Sequence, residues 1–154
     1  MQTKLIHPMH VFCFETETTM REILQYVRVV AHQIYKEAIN YSLEVTGPVY
    51  WIYEGADGQP DTTFKLTIAL PVSYTEFEPL DSDFQLKTLD FFDCVSQQHL
   101  GDWNNLGETY GQIIGEIQSD KFIMSGQNRE IYLNMDFENP ERNITEVQIG
   151  IVRN

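Results

Sequence analysis

The sequence has few cysteines and no grouped metal ligands. Its 154 residues include only two cysteines, Cys13 and Cys94, and no Cys-x-x-Cys pair. The four histidines are not spaced near the cysteines as zinc ligands would be. We therefore predict that both cysteines are buried, reduced core residues, and we expect neither a metal nor a cofactor.

Basic residues are also scarce. Ten Lys and Arg stand against 23 Asp and Glu, which gives a formal net charge of -13. This charge repels phosphates, so we expect no direct binding to nucleic acid. It leaves three roles open: solubility, attraction of cationic ligands, or docking to a basic protein surface.

Long apolar runs are missing as well. No segment is apolar for long enough to span a membrane, and the N-terminus lacks the apolar core of a signal peptide. We therefore expect no membrane association and a cytoplasmic protein. The sequence also contains no phosphate-binding glycine loop, G-x-S-x-G or H-E-x-x-H motif. Enzymatic activity is therefore uncertain, and its absence is the favoured interpretation.

The chain does contain two copies of one short sequence motif, GPVYWIYEG at 47–55 and GQNREIYLN at 126–134, which we call the two phrases. Both read as strands, because aromatic and β-branched residues follow a turn signal. The same shift of 79 residues relates the later segments FKLTIALPV at 64–72 and NITEVQIGI at 143–151. Both later segments alternate apolar residues with the period of a strand. Each half is therefore predicted to end in a β-hairpin.

A helix precedes each hairpin. The first is predicted from Thr19, where Glu22 would complete a capping box, and its apolar stripe runs to Ala38. The second has Asp102 as its predicted N-cap, and its stripe comprises Trp103, Leu106, Tyr110, Ile113, Ile114 and Ile117. The caps are shifted by 102−19 = 83 residues, which predicts four fewer residues after the second helix. A strand is predicted ahead of each helix, at 10–16 and at 89–98, so the order strand–helix–strand–strand occurs twice.

The second helix also carries Gly107, Gly111 and Gly115 at four-residue spacing. Each weakens a helix by about 1 kcal/mol, so a compensating feature is expected. Close approach of the helix backbone to the sheet is the favoured interpretation, and space for a ligand is the alternative.

Together these features resemble the GyrI-like small-molecule-binding family, the effector-binding domain of bacterial multidrug-responsive transcription regulators. The resemblance rests on HLGDWNNLGETYGQII at 99–114, REIYL at 129–133 and the strand endings IALPV and VQIGI; Gly150 stands where the family favours proline. It implies an α+β fold in which the duplicated repeat forms a pseudo-twofold, curved antiparallel sheet with helices packed on it and a pocket between the halves. We predict one domain over 1–154, with repeat one at about 9–73 and repeat two at about 88–153. Too few residues precede the first predicted strand for a helix-turn-helix, so a stand-alone form is expected.

The two phrases differ most at Trp51 and Glu130. Alternate strand residues share a face, so Trp51 lies with Tyr53, and Glu130 with Tyr132. Aromatic walls with one carboxylate suit a lipophilic cation. The resemblance implies a pocket glutamate, which the E-x-Y match assigns to Glu130. The candidate ligand-binding residues are Glu130, Tyr132, Trp51, Tyr53, Tyr110 and Trp103.

Each candidate also has a plainer interpretation. Glu130 could be a solvated residue paired with Arg129 or another neighbour, and the aromatic residues could be ordinary core. If Glu130 is unpaired, burial would raise its pKa and couple cation binding to pH. His99 is expected to have a structural role at the helix start rather than to act as a general base, and Glu146 is expected to face solvent.

Three functions remain open at this stage. The first is a sensor or sequestering module for small, amphipathic, cationic organic molecules. The second is a hydrolase of reactive small molecules that uses Glu130 and Tyr132 for acid–base chemistry. The third, implied by the resemblance, is a gyrase-inhibitor-like module that binds a protein partner such as a topoisomerase.

Overall fold

The computed structural model describes residues 1–27, 29–76 and 82–153. They form eight antiparallel strands and three α-helices, and two 3₁₀ turns at Trp103–Asn105 and Pro140–Arg142 precede α3 and β8. The order along the chain is β1 (Gln2–Ile6), β2 (Met9–Thr18), α1 (Leu24–Val27), α2 (Val29–Asn40), β3 (Tyr50–Glu54), β4 (Phe64–Pro71), β5 (Gln85–Leu89), β6 (Phe92–Leu100), α3 (Leu106–Ser119), β7 (Ile123–Asn134) and β8 (Ile144–Val152). The predicted α+β class is confirmed.

The chain divides into two compact units. The N-terminal unit is Pro8–Asp90, and the C-terminal unit combines Met1–His7 with the chain from Phe91 onward. Within the N-terminal unit the strands pair in the order β3-β4-β2-β5, and within the C-terminal unit in the order β1-β6-β8-β7. The predicted extent of one domain over 1–154 stays a prediction.

Each repeat begins with a strand that the sequence did not reveal. Strand β1 pairs with β6, and β5 pairs with β2. Each of these two strands therefore belongs to the unit built mainly by the other repeat. Both lie at sheet edges and are largely polar and exposed, so they lack the apolar alternation that identifies a half-buried strand. The predicted strand at 89–98 accordingly merged the end of β5 with β6, which begins at Phe92.

The duplication is visible in the strand register. Trp51 of β3 lies opposite Ile68 of β4, and Glu130 of β7 lies opposite Val147 of β8. Both partners are shifted equally, since 130−51 = 79 and 147−68 = 79. The predicted hairpins and their faces are therefore confirmed.

Helices α2 and α3 end in the same way. Ser42 and Lys121 have φ values of 55° and 60°, and each follows its helix as a left-handed cap. The Leu43 amide donates to the Ala38 carbonyl, and the Phe122 amide donates to the Ile117 carbonyl. These positions are again 79 apart, so the four-residue difference lies before the helix ends. The prediction that it follows the second helix was wrong.

The first helix begins later than predicted. Turns occupy residues 20–23, helix α1 starts at Leu24, and α2 starts at Val29. Leu24 is 77% exposed, whereas Val30, Ile34 and Ala38 of α2 are buried. These three residues of the predicted stripe therefore pack into the core, where α2 contacts β2 and β4.

Helix α3 packs against β6, β7 and β8. Its buried residues join the strands in one cluster, and Leu106, Tyr110 and Ile114 pack beside it; the cluster comprises Val95, Ile113, Ile117, Val147, Ile149 and Ile151. The predicted stripe is confirmed from Leu106 onward, whereas Trp103 lies in the 3₁₀ turn before the helix. Among the described residues, no helix is both long and apolar enough to cross a membrane.

The glycine row of α3 lies on its exposed side. A Cβ added at Gly107, Gly111 or Gly115 would meet no described heavy atom within 4 Å. Close approach to the sheet is therefore wrong for these residues. A close approach of backbone to backbone is found instead at Gly150 on β8, where an added Cβ would lie 2.7 Å from the Gln127 carbonyl oxygen. A bulge in β7 between Met124 and Asn128 brings this carbonyl over the neighbouring strand.

Both cysteines are free and fully buried, as predicted. Burial raises the pKa of the Cys13 thiol to about 12 and that of Cys94 to about 11, because the thiolate would lose its hydration.

Candidate functional site

Glu130 lies on the side of the C-terminal unit's sheet that α3 covers. Its partner Val147 belongs to the core beneath α3, and directly opposed residues on antiparallel strands share a face. The residue is only 7% exposed. Arg129 points to the opposite face, where its guanidinium lies 3.9 Å from the centroid of Phe92 and donates to Gln127. The two side chains therefore lie on opposite faces of the strand.

Two tyrosine hydroxyls hold the Glu130 carboxylate. The Tyr132 hydroxyl donates to Oε1 at 2.7 Å, and the Tyr110 hydroxyl donates to Oε2 at 2.6 Å. Tyr132 comes from the same strand two residues on, whereas Tyr110 reaches across from α3. Such short O–H···O bonds are typical of a charged acceptor. The rise expected in the pKa of Glu130 was conditional on an unpaired carboxylate. The two hydroxyl donors mean that this condition is not met.

Trp103 adds an aromatic wall next to the tyrosines. Its ring packs edge-on against Tyr132 at 5.7 Å and against Phe137 at 5.6 Å. Its indole nitrogen donates to Thr145 Oγ1 at 2.9 Å, which fixes the ring over β8. We name Glu130, Tyr110, Tyr132, Trp103 and Phe137 the aromatic–glutamate cluster. Four of the six predicted site residues thus lie together. Phe137, which is exposed and lies in the loop after β7, was not among the predicted site residues.

The turn before α3 positions Trp103. Asp102 accepts a hydrogen bond from the Asn104 amide and so caps this turn. It was predicted to cap the helix itself, but α3 begins at Leu106 and its N-cap is Asn105. His99 is buried, and its Nε2 donates to the Asp102 carbonyl at 2.7 Å because a carbonyl can only accept. Its Nδ1 then accepts from the Thr109 hydroxyl at 2.8 Å. Both ring nitrogens are engaged, which supports a structural role for His99 at the helix start.

The other two predicted residues, Trp51 and Tyr53, lie on β3 in the N-terminal unit. They are 5% and 6% exposed, and the Tyr53 ring packs against Phe64 at 5.7 Å. The structure thus gives each a place in the core of that unit. Their part in a ligand site with Glu130 stays a prediction.

A second polar group lies on the opposite face of the C-terminal sheet. Glu146 Oε2 accepts from Lys4, Ser96 and Gln148 at 3.0, 2.9 and 2.6 Å. Its side chain is only 14% exposed, so the expectation that it faces solvent was wrong. Burial opposes its ionisation, but the bonds from Gln148, Lys4 and Ser96 hold its pKa below the ordinary value. Strand alternation identified its face correctly but could not show that this face is covered.

Two further observations concern where a ligand or a metal ion could bind. The N-terminal unit has an open cleft of about 430 Å³ beside His10, Tyr74, Lys87 and Thr88. Its lining is mainly polar, and Lys87 is already paired with Glu15. Among the described residues, no group of three or more His, Cys, Asp or Glu could hold a metal ion.

A family model described as the GyrI-like small molecule binding domain matches residues 2–152. The match covers nearly the whole chain, so this protein belongs to the GyrI-like family of small-molecule-binding domains, which is related to the effector domains of transcription regulators. The resemblance found in the sequence is thereby confirmed. Among curated proteins, none has a significantly similar sequence.

Solved structures share the fold. The C-terminal domain of EcmrR matches with a TM-score of 0.80 at 13% identity, over 99% of this chain and 97% of that domain. In the EcmrR–DNA complex the match covers 57% of the EcmrR chain, with a TM-score of 0.80 and 14% identity. This chain therefore spans little more than half of that longer protein.

Two other solved structures share the fold, and one is of a ligand complex whereas the other is of a hydrolase. SAV2435, solved bound to tetraphenylphosphonium, matches with a TM-score of 0.64 at 13% identity, over 99% of this chain and 94% of its own. A hydrolase encoded by lin2189 of Listeria innocua matches with a TM-score of 0.67 at 14% identity, over 98% and 91%. At these identities the comparisons establish the fold alone.

Proposed function

We propose that this chain binds small, amphipathic, cationic organic molecules at the aromatic–glutamate cluster, as a sensor or sequestering module. The observation that carries the proposal is the buried Glu130 carboxylate, held by two tyrosine hydroxyls beside Trp103. Hydroxyl donors stabilise a carboxylate without neutralising its charge. These two bonds therefore leave the carboxylate's negative charge for a cation to complement.

The aromatic rings supply the remaining attraction. A cation over an indole or phenyl face gains about 0.5–2 kcal/mol, depending on how far it is desolvated. Phe137 is 59% exposed, so it offers apolar surface to an arriving ligand. Family membership supports binding of a small molecule, and the tetraphenylphosphonium complex of SAV2435 supports an organic cation.

The test is calorimetric titration with tetraphenylphosphonium and with triphenylphosphine oxide, a neutral compound of similar shape. Glu130→Gln keeps the size of the side chain and removes its charge, and Glu108→Gln on the exposed side of α3 is the matched control. We expect the wild type and the control to bind the cation more tightly than the neutral compound. We expect Glu130→Gln to weaken cation binding by about 5- to 150-fold, which corresponds to roughly 1–3 kcal/mol.

Absence of cation binding by the wild type would contradict the proposal. Equal cation affinity in the wild type and Glu130→Gln would contradict the role given to the carboxylate.

A second candidate function, hydrolysis of a reactive small molecule, is favoured by the same geometry. A carboxylate bonded to two phenols can accept a proton from water while a phenol donates to a leaving group. Turnover of an electrophilic substrate that is lost in Glu130→Gln and retained in Glu108→Gln would support it. A protein partner such as a topoisomerase stays a prediction.

A further inference from the structure

We propose that a second copy of this chain is a binding partner, and that the two copies form a domain-swapped dimer by exchanging strand β1. In this dimer the β1 of each copy pairs with the β6 edge of the other. The surface involved is the edge of β6 together with the link between β1 and β2. It lies outside the aromatic–glutamate cluster, so the proposal does not depend on the ligand.

A two-residue link joins β1 to the next strand. β1 ends at Ile6 and β2 begins at Met9, and the boundary between the two units falls within this link, between His7 and Pro8. Among the described residues, β1 pairs with β6, whereas β2 pairs with β4 and β5. No hairpin therefore joins β1 to β2 in that part of the chain. A β1 strand from another copy would make the same pairing with β6.

Pro8 makes this link suited to exchange. The proline ring fixes φ, and the residue before a proline favours an extended backbone, so His7–Pro8 resists folding into a tight turn. A swapped element keeps all its contacts, and only the link that carries it to the other copy changes its course. Short links favour such exchange because they leave the chain few ways to close back on itself.

The β6 edge is specific for a strand with a lysine in register. Lys4 lies opposite Cys94 of β6, and its ammonium donates to Glu146 Oε2 at 3.0 Å. The Glu146 side chain is largely buried, and loss of one partner from a buried ion pair is strongly destabilising. An undocked β1 would also leave backbone groups of the β6 edge unpaired. The edge therefore retains a β1 strand, and its contacts do not distinguish the strand of its own chain from that of a second copy.

The length of the link determines where the two copies meet. Three Cα–Cα steps separate Ile6 from Met9, so these residues lie at most about 11 Å apart. In a swapped dimer this limit brings the links of both copies close to the twofold axis. Two large apolar side chains lie beside the link and are more than half exposed: Leu5, at 52%, and Phe91, at 57%, whose ring packs against His7. A contact between the copies at the links would cover both side chains.

The first test measures molecular mass by size-exclusion chromatography with light scattering, after refolding at high protein concentration. The chain has a mass of 18.0 kDa, so the swapped dimer should appear at 2 × 18.0 = 36.0 kDa. Deletion of His7 and Pro8 shortens the path from Ile6 to Met9 to one step of about 3.8 Å, so this variant should be mainly dimeric. Insertion of four glycine and serine residues between His7 and Pro8 should instead lower the dimer fraction at least fivefold relative to the wild type.

A disulfide trap on the otherwise native chain tests whether β1 itself is exchanged. Leu5 lies opposite Asp93, so Leu5→Cys is made in one chain and Asp93→Cys in a second chain that carries a size tag. The two are refolded together under reducing conditions and then oxidised, with the buried Cys13 and Cys94 protected. The mixed disulfide should exceed either like-with-like disulfide roughly tenfold, because only the mixed pair is held at disulfide distance. Glu138→Cys in place of Leu5→Cys is the control, and it should give no such excess.

Two outcomes would overturn the proposal. The first is a monomer in both the wild type and the deletion variant after refolding at high concentration. The second is a dimer whose mixed disulfide shows no excess over that of the control pair, because the copies would then associate without exchanging β1. Neither outcome bears on ligand binding at the aromatic–glutamate cluster, so the proposed function stands or fails separately.

Discussion

Replacing glycine by alanine on the exposed side of α3 should stabilise the protein. Gly111 and Gly115 lie inside the helix, their backbone φ is negative, and an added methyl group would meet no described heavy atom within 4 Å. The substitution therefore restricts the unfolded chain and strains nothing in the folded chain. Each should add about 0.8–1.0 kcal/mol to the free energy of unfolding, or roughly 2 kcal/mol for the double variant.

The corresponding thermal shift follows from chain length. With about 2.1 cal/mol/K of unfolding entropy per residue, the whole chain has roughly 0.3 kcal/mol/K, so 2 kcal/mol should raise Tm by about 6 °C. Circular dichroism at 222 nm on the wild type and the Gly111→Ala/Gly115→Ala double variant measures it. Both glycines lie on the exposed side of α3, whereas the Tyr110 hydroxyl donates to Glu130 of β7, so tetraphenylphosphonium affinity should not change.

Gly150→Ala serves as a control, because this glycine-to-alanine substitution should lower the stability rather than raise it. Its methyl group would lie too close to Ser125 and to the Gln127 carbonyl, so the neighbouring bulge must move. Overpacking of this kind costs about 1–3 kcal/mol, and Tm should fall. An unchanged or lower Tm in the double variant would refute the assignment of the glycine row to solvent.

Three further predictions concern other parts of the molecule. Thr109→Val should weaken cation binding and shift the near-ultraviolet dichroism of Trp103, because His99 loses the hydroxyl that orients it, whereas Thr109→Ser should restore both. The lowered pKa of Glu146 stabilises the fold above the ordinary value of 4.5, and this stability is lost as pH falls through the folded-state value. Glu146→Gln should therefore flatten the decline of Tm between pH 5 and pH 3, and an unchanged slope would contradict the assignment. Because burial raises the pKa of both thiols, Cys13 and Cys94 should react with a thiol reagent at pH 8 only after denaturant is added, and rapid reaction of the native protein would contradict their burial.

Local patterns in the sequence predicted the repeat and much of the site. Strand period placed Glu130 with Tyr132, and helical period placed Tyr110 on the stripe of α3. The same period indicated Trp103, which lies in the turn before that helix. Each of these inferences depends only on residues close together in the chain. Both strands of each hairpin are separated from their counterparts by the same 79 residues, so the repeat can be recognised from the sequence alone.

The missed features depend on packing between distant segments. The bond from Tyr110 to Glu130 joins residues 20 apart through the docking of a helix on a strand. Phe137 joins the cluster from a loop, where no periodicity indicates which side chains will contact Trp103. Strands β1 and β5 exchange between the units, and no local pattern records which partner an edge strand chooses.

A crystal structure of this protein with tetraphenylphosphonium tests the central claim most directly. We predict the phosphonium beside the Glu130 carboxylate, with at least one ring centroid of Trp103 or Phe137 within about 6 Å of the ligand. Tyr110 and Tyr132 should keep their bonds to the carboxylate. A ligand bound instead in the cleft beside His10 and Tyr74, with the aromatic–glutamate cluster empty, would contradict the claim.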